Sequence, residues 1–304
     1  MKKIIPLLTV LLCSIGISAA TAPAKAKKDR KITVEKPDFD RIARNTLDPK
    51  SEFYFPKLMK IYNRNDTSMT QEQYKNLYLG YIFQEDYDPY RTSPYNTRTD
   101  SLLDITSTLK ARLTTVTDSL NKLIKANRIS GHEAEKQKER LRNSYKRELR
   151  ELSTATELSL KDNPFDLRQM SILVHAAREM GNHMKAKIWE YRLENILAAI
   201  KSTGSGEDME NAFFVIYPMH EYNMIQLLGY EPTAVDFPAE GIDYISVVPD
   251  ADEKRKTKRD AKGFYFNVGP LSRQYALKHP EETDADEDPS DSERIIAPDD
   301  IPAE

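Results

Sequence analysis

Two short stretches hold the residues whose types and spacing could do chemistry. One is EDYDPYRTSPY, with Tyr87, Tyr90 and Tyr95; the other is MHEY, with His220, Glu221 and Tyr222. A neighbouring His and Glu suggest acid–base work, since either can hold and release a proton near neutral pH once its surroundings tune it. The stretch that follows MHEY reads as a strand, however, and consecutive strand residues point to opposite faces. His220 and Glu221 would then form one pair only if the turn rotated them together. A structural Glu bonded to a neighbouring tyrosine or to backbone is the simpler expectation. A carboxylate-type hydrolase acting on glycan or peptide would need Glu221 and a second acid, Asp243 for example, facing one cleft at about 5 to 10 Å. The loop tyrosines offer binding instead. Pro89 and Pro94 keep Tyr87, Tyr90 and Tyr95 out of regular structure, which makes them candidates for an exposed aromatic surface. Burial against their own domain is the competing outcome.

Other chemistries lack their parts. His175, Glu179 and His183 have i, i+4, i+8 spacing, but Gly181 and Asn182 should end the helix before His183 and break the face a metal would need. STGSGED has the glycines of a phosphate loop without its Lys, and it follows a helix instead of preceding one, so a helix C-cap explains it better. No G-x-S-x-G occurs, and no Ser/His/Asp set can be assembled. KRKTKRDAK puts six basic residues in nine with no aromatic interleaved, which reads as a solvated loop and not as a nucleic-acid surface. The sequence therefore assigns no catalytic residue, no metal and no cofactor, and it leans away from an enzyme.

The elements that must position these residues are mostly helical. Residues 37 to 95 read as short helices. Tyr54, Leu58 and Ile61–Tyr62 share one face, Thr70 is a good N-cap, and Tyr74, Leu77, Tyr78, Tyr81 and Ile82 form a core-facing stripe in a helix from about Gln71 to Gln84. Gly80 in that helix suggests close helix packing. From residue 99 to 160 the spacing predicts a long antiparallel hairpin. Leu102, Ile105, Leu109, Leu113, Val116, Leu120 and Leu123 form a heptad stripe with one stutter; a thinner stripe of Ala134, Leu141, Tyr145, Leu149 and Leu152 answers it. The narrow stripes predict a projecting hairpin. The seven aliphatics of its first arm still need cover, from the helix pair at 164 to 203 or from a second copy of the chain. That pair resembles one tetratricopeptide unit. After Asp208 the period changes to two, and NAFFVIYP, EYNMIQLLG, GIDYISVVP and KGFYFNVGP read as strands, the second with a short helix as its alternative. The expected class is α+β, helices followed by a small antiparallel sheet.

The ends read differently. Lys2 and Lys3, the apolar run Ile4 to Ile17 and Ser18-Ala19-Ala20 make a secretory signal, cleaved near Ala20. Its run is too short to span a bilayer, which takes about 20 residues. Cys13, the single cysteine, lies inside the run behind the large Leu12, so acylation there is the weaker reading and the mature chain carries no thiol. Residues 21 to 36 read as a flexible linker and residues 281 to 304 as a disordered tail of net charge −10, against +5 for residues 21 to 280. The expected product is a soluble periplasmic or secreted protein whose partner is another protein or an envelope macromolecule.

Three ordered segments resemble a known family: FYFPKLMKIYNRNDTSMTQEQYKNLYLGYIFQEDYDPY, AIKSTGSGEDMENAFFVIYPMHEYNMIQLLG, and GIDYISV with KGFYFNV. They are similar to the exported Bacteroides-type proteins of domain-of-unknown-function family 4919. The resemblance implies an exported protein of unknown activity and carries over no catalytic residue. It implies that Tyr78, Gly80, Tyr81, Gly204, Gly206, Glu221, Tyr222 and Tyr265 to Asn267 belong to the family framework. The basic hairpin near 104 to 155 and the acidic tail are longer than the family pattern requires.

Overall fold

The computed structural model describes residues 34–65, 67–250 and 261–280. The stretch read as a signal peptide, most of that read as a linker, the basic loop up to residue 260 and the acidic C-terminal stretch lie outside the described residues.

The first helices form where capping and apolar spacing agree. In α1 (Phe39–Leu47) the Asp38 side chain accepts from the Arg41 N–H at 2.9 Å. Pro56 opens α2 (Phe55–Asn63), where its missing N–H is not needed. Thr70 and Gln73 make a reciprocal capping box at the start of α3 (Gln71–Gly80), which tightens into a 3₁₀ turn at Tyr81–Phe83. All five residues of its stripe are buried, at 0 to 2% exposure. Gly80 is where α1 and α3 meet: a Cβ there would lie 2.4 Å from Thr46 Cγ2.

The hairpin is α4 (Tyr95–Lys125) and α5 (Gly131–Asp162). Ser130 caps α5 by accepting from the Glu133 N–H. Its two halves differ. Near the base, Leu102, Leu103, Tyr145, Leu149, Leu152 and Ala155 pack on Ile172 and Ala176 of α6 (Leu167–Glu179) in a cluster of their own. Tyr145 and Lys110 both donate to the Glu179 carboxylate, at 2.7 and 2.9 Å. Between residues 111 and 144 the side-chain bonds stay within the pair, as in Lys138 Nζ to Asn121 Oδ1 and Arg142 to Glu135. The apolar seam is also not the one the spacing predicts. Leu102, Leu103, Thr106 and Leu120 are buried, whereas Ile105 and Leu123 are exposed. A straight helix drifts off a strict 3.5-residue repeat, and α6 joins α5 in covering the base, so the buried stripe turns with the helix.

Gly181, at φ +75°, ends the α6 segment, and Asn182 caps α7 (His183–Lys201). The sheet order is β1 (Phe213–Phe214), β4 (Gly263–Asn267), β3 (Ile242–Pro249), β2 (Tyr230–Ala239). β1 runs parallel to β4 and the other pairs are antiparallel, so the sheet is mixed and not wholly antiparallel. EYNMIQLLG takes its helical alternative in α8 (Met219–Leu227). β2 and a last helix, α9 (Gly269–Lys278), are elements the periodicity did not suggest. The α+β class holds. The main core lies among α2, α3, α7, α8 and the sheet, with Phe165 in contact with the rings of Tyr62, Tyr78 and Tyr81.

Candidate functional site

Five of the six candidate residues gather where α3, the loop after it, α8, β3 and α9 converge. The inner part is a chain of buried hydrogen bonds. The backbone N–H of Ile216 donates to the Tyr78 hydroxyl at 3.2 Å, and that hydroxyl is hydrogen-bonded to Nδ1 of His220 at 2.7 Å. Tyr87 donates to the Ile216 carbonyl at 2.6 Å. The other ring nitrogen of His220, Nε2, faces the Phe165 carbonyl without a well-formed bond. Burial pushes its pKa down to about 3, and burial raises the phenols of Tyr78 and Tyr87 far above their ordinary range. The chain is neutral and shut off from solvent, Tyr87 included. Tyr87 is not part of an exposed aromatic surface: the loop turns it inward, where its hydroxyl satisfies a strand-end carbonyl.

The outer part is an acid pair. Because α8 is a helix, His220 and Glu221 diverge by about 100° instead of 180°, and both are buried, at 1 and 3% exposure. Asp243 sits on β3 opposite Phe266 and shares the face of the buried Ile245 and Val247. Its carboxyl shares a hydrogen bond with that of Glu221. Burial and the neighbouring Asp243 push the Glu221 pKa well up, so Glu221 keeps its proton and donates it to the Asp243 carboxylate; burial raises Asp243 as well. Glu221 Oε1 has no partner. Tyr222, half-buried, and Tyr90, 53% exposed, form the rim, and the Tyr90 hydroxyl bonds Ser272 of α9. The Tyr90 ring meets Tyr275 edge-on at 4.7 Å, and Tyr275 stacks on His279 at 4.2 Å.

Tyr95 is the outlier. It begins α4, half-buried at the hairpin base, away from the other five. Ser272, Tyr275 and Lys278 are residues the sequence reading missed. Pro270 in the first turn, followed by eight residues without a helix breaker, was the signal that could have found α9. Lys278 straps the tyrosine loop: its ammonium donates to the carbonyls of Gln84 and Tyr87, beside an open depression of about 500 Å³ lined by Glu85, Asp86, Asp88 and Arg91.

Chemically, the His220 chain can hold structure but cannot meet a substrate. The acid pair can pass one proton to a group arriving between Tyr90 and Tyr222. Its two carboxyls touch, closer than the roughly 5 to 9.5 Å at which glycoside hydrolases set theirs. Elsewhere, Glu179 is engaged by Lys110 and Tyr145, and His183 belongs to the helix after Gly181. Among the described residues no three His, Cys, Asp or Glu side chains are grouped to hold a metal. No helix among them is long and apolar enough to cross a membrane.

The framework turn is built from glycine geometry. Gly206 has φ +73°, and a Cβ there would lie 2.3 Å from the Phe213 ring. Its carbonyl accepts from the Tyr265 N–H at 2.9 Å, joining the turn to β4.

No curated protein and no solved structure matches the chain. The model of one family does, over residues 40–130 and 117–276, two stretches that overlap at the outer end of the hairpin. From residue 40 to residue 276, the chain belongs to the family described as a domain of unknown function, DUF4919.

Proposed function

We propose that this is an exported, non-enzymatic interaction protein of the periplasm or cell envelope, and that the outer half of the α4–α5 hairpin engages a protein or another envelope macromolecule. The observation that supports this reading is the contrast within the hairpin: a base built into the α6 core and an outer half whose side chains bond only within the pair. That outer half carries Arg112, Lys122, Lys125, Arg128, Lys136, Lys138, Arg140 and Arg142 against four acids, so it presents net positive charge. Leu123 adds exposed apolar surface. His220, Glu221 and Tyr87 are buried, and the hydrogen bonds of His220 and Tyr87 go to the body itself. The N-terminal residues support export, with the basic start, apolar run and small residues of a signal peptide.

The test is a shortened arm. Replacing residues 112–141 with a tight turn leaves Leu102, Leu103, Tyr145 and Leu149 in place. The variant should melt close to the full protein and lose most of the partners that the full protein captures from its own envelope fraction. Equal capture by both would overturn the reading.

A second reading keeps a carboxylate-type hydrolase acting on glycan or peptide, because Glu221 and Asp243 do meet. It requires Tyr90 and Tyr222 to part. Glycan or peptide cleavage abolished by both Glu221→Gln and Asp243→Asn, in proteins that still fold, would establish it in place of the first.

A further inference from the structure

The turn after α2, the end of α5 and the start of α7 enclose an open depression of about 430 Å³. Lys185, Ile188, Trp189 and Arg192 line it from α7 at i, i+3, i+4 and i+7, one face of the helix. Glu157 lines it from α5, and Met184 stands at its edge, 69% exposed. Ile188, Trp189 and Met184 give it one apolar wall, and Asn65 and Asn182 also line it. Lys185 is neutralised by Glu157 at 2.8 Å and also donates to Ser153.

Arg192 is different. It is 8% exposed, and its guanidinium lies over two rings, 4.7 Å from the centre of Tyr62 and 4.4 Å from that of Trp189. Nη2 donates to the carbonyls of Tyr62 and Asn63 at the end of α2, at 3.1 and 3.2 Å. Nε is buried without an acceptor. Among the described residues no carboxylate pairs with it, and burial pulls its pKa down, against the partial support of Tyr62 and Tyr74. Among the described residues the depression thus holds one positive charge with no carboxylate partner, its guanidinium over two aromatic rings beside an apolar wall.

We propose that this depression binds a carboxylate attached to an apolar group, as at the C-terminal end of a peptide with an aliphatic last residue. A guanidinium donates charge-assisted hydrogen bonds that suit a carboxylate oxygen. Holding it between rings removes the rotamer freedom that binding would otherwise have to freeze. A single uncompensated charge suits a monoanion; a phosphate dianion would call for a second free cation, and Lys185 is engaged. Trp189 and Ile188 favour an apolar body, and the volume lies in the range of small-ligand sites, about 300 to 1,000 Å³. The site stands apart from the proposed arm, since Glu157, near the end of α5, is the hairpin residue that reaches it.

Trp189 is the single tryptophan of the chain, so its emission reports on this depression and nowhere else. The probes are N-acetyl-leucine, N-acetyl-leucinamide and acetate, added to the full protein. The acid should change Trp189 emission saturably, with the amide and acetate each at least about tenfold weaker. Met184→Glu, at an exposed position, should leave the circular dichroism unchanged and weaken the acid about tenfold through like-charge repulsion. Arg192 itself is left intact, because its removal would also uncap α2. The proposal is overturned if the acid gives no saturable change up to about 10 mM. It is likewise overturned if the amide or acetate binds as well as the acid, or if Met184→Glu binds undiminished.

Discussion

The body and the outer hairpin hold their polar groups by opposite means. In the body, the hydrogen bonds that matter join residues far apart in the chain: Tyr78 to His220 across 142 positions, Tyr87 to Ile216 across 129 and Arg192 to Tyr62 across 130. In the outer hairpin they stay within the two arms, some one helical turn long, as in Thr114 to Lys110 and Thr115 to Ala111, while Lys138 to Asn121 bridges the arms across 17 positions. Long-range bonds in a buried ring cluster form or fail together, whereas local ones on an exposed helix come and go singly. The body should therefore behave as a cooperative unit and the outer hairpin as an independently fraying one.

The strongest attempt to break this contrast is Phe165→Ala, which empties the centre of the ring cluster. It should destabilise the body by about 3 to 5 kcal/mol in urea unfolding. A loss under about 1 kcal/mol would mean that the rings do not share one core. Next comes Tyr78→Phe. It leaves the Ile216 N–H and His220 Nδ1 buried without partners, a loss of about 1 to 3 kcal/mol by the same measurement.

Glu221→Gln sharpens the contrast through pH. The folded pKa of Glu221 lies above its unfolded value near 4.5. The native state therefore holds the proton more tightly, and the stability this confers is complete below pH 4.5 and drains away as pH rises toward the folded pKa. A Gln amide donates to Asp243 at every pH. The variant should gain on the wild type steadily above pH 4.5, and parallel stability curves would show that Glu221 and Asp243 share no proton. The smallest effect belongs to the arm. Leu123→Ser should shift stability by less than about 0.5 kcal/mol, and amides of residues 112–141 should exchange without global unfolding.

Much of the body was legible because amphipathic period and capping chemistry are local signals. The stripe from Tyr74 to Ile82, the Thr70 cap, the Gly181 stop and the hairpin all rest on residues within a few turns of one another. Three features were not. MHEYNMIQLL is a short apolar run whose period cannot separate strand from helix, so His220 and Glu221 were first placed on opposite faces. β2 contains Pro232 and Pro238, which ordinarily disqualify a strand; its position at the sheet edge tolerates them. Tyr87 lies in a proline-bearing loop and looks exposed until the Ile216 carbonyl, 129 residues on, is in view. Asp243 could be named as a second acid for Glu221 from chemistry alone. Its contact with Glu221 depends on how α8 lies against the sheet, which no local pattern encodes.

The junction at Glu179 has a mechanical side. From Lys110 to Lys125 the first arm extends about 23 Å past it, at 1.5 Å per residue. A sideways push on the turn at Asn127 is resisted at the base across a helix spacing of about 9 Å. The leverage multiplies the load about two- to threefold. Helical hydrogen bonds run along the arm and carry such bending well. The bonds from Lys110 and Tyr145 to Glu179 lie at the fulcrum and carry it worst. A partner tugging at the tip therefore bends the joint before it unravels the rod, and strain reaches α6 while the tyrosine core behind it stays at rest.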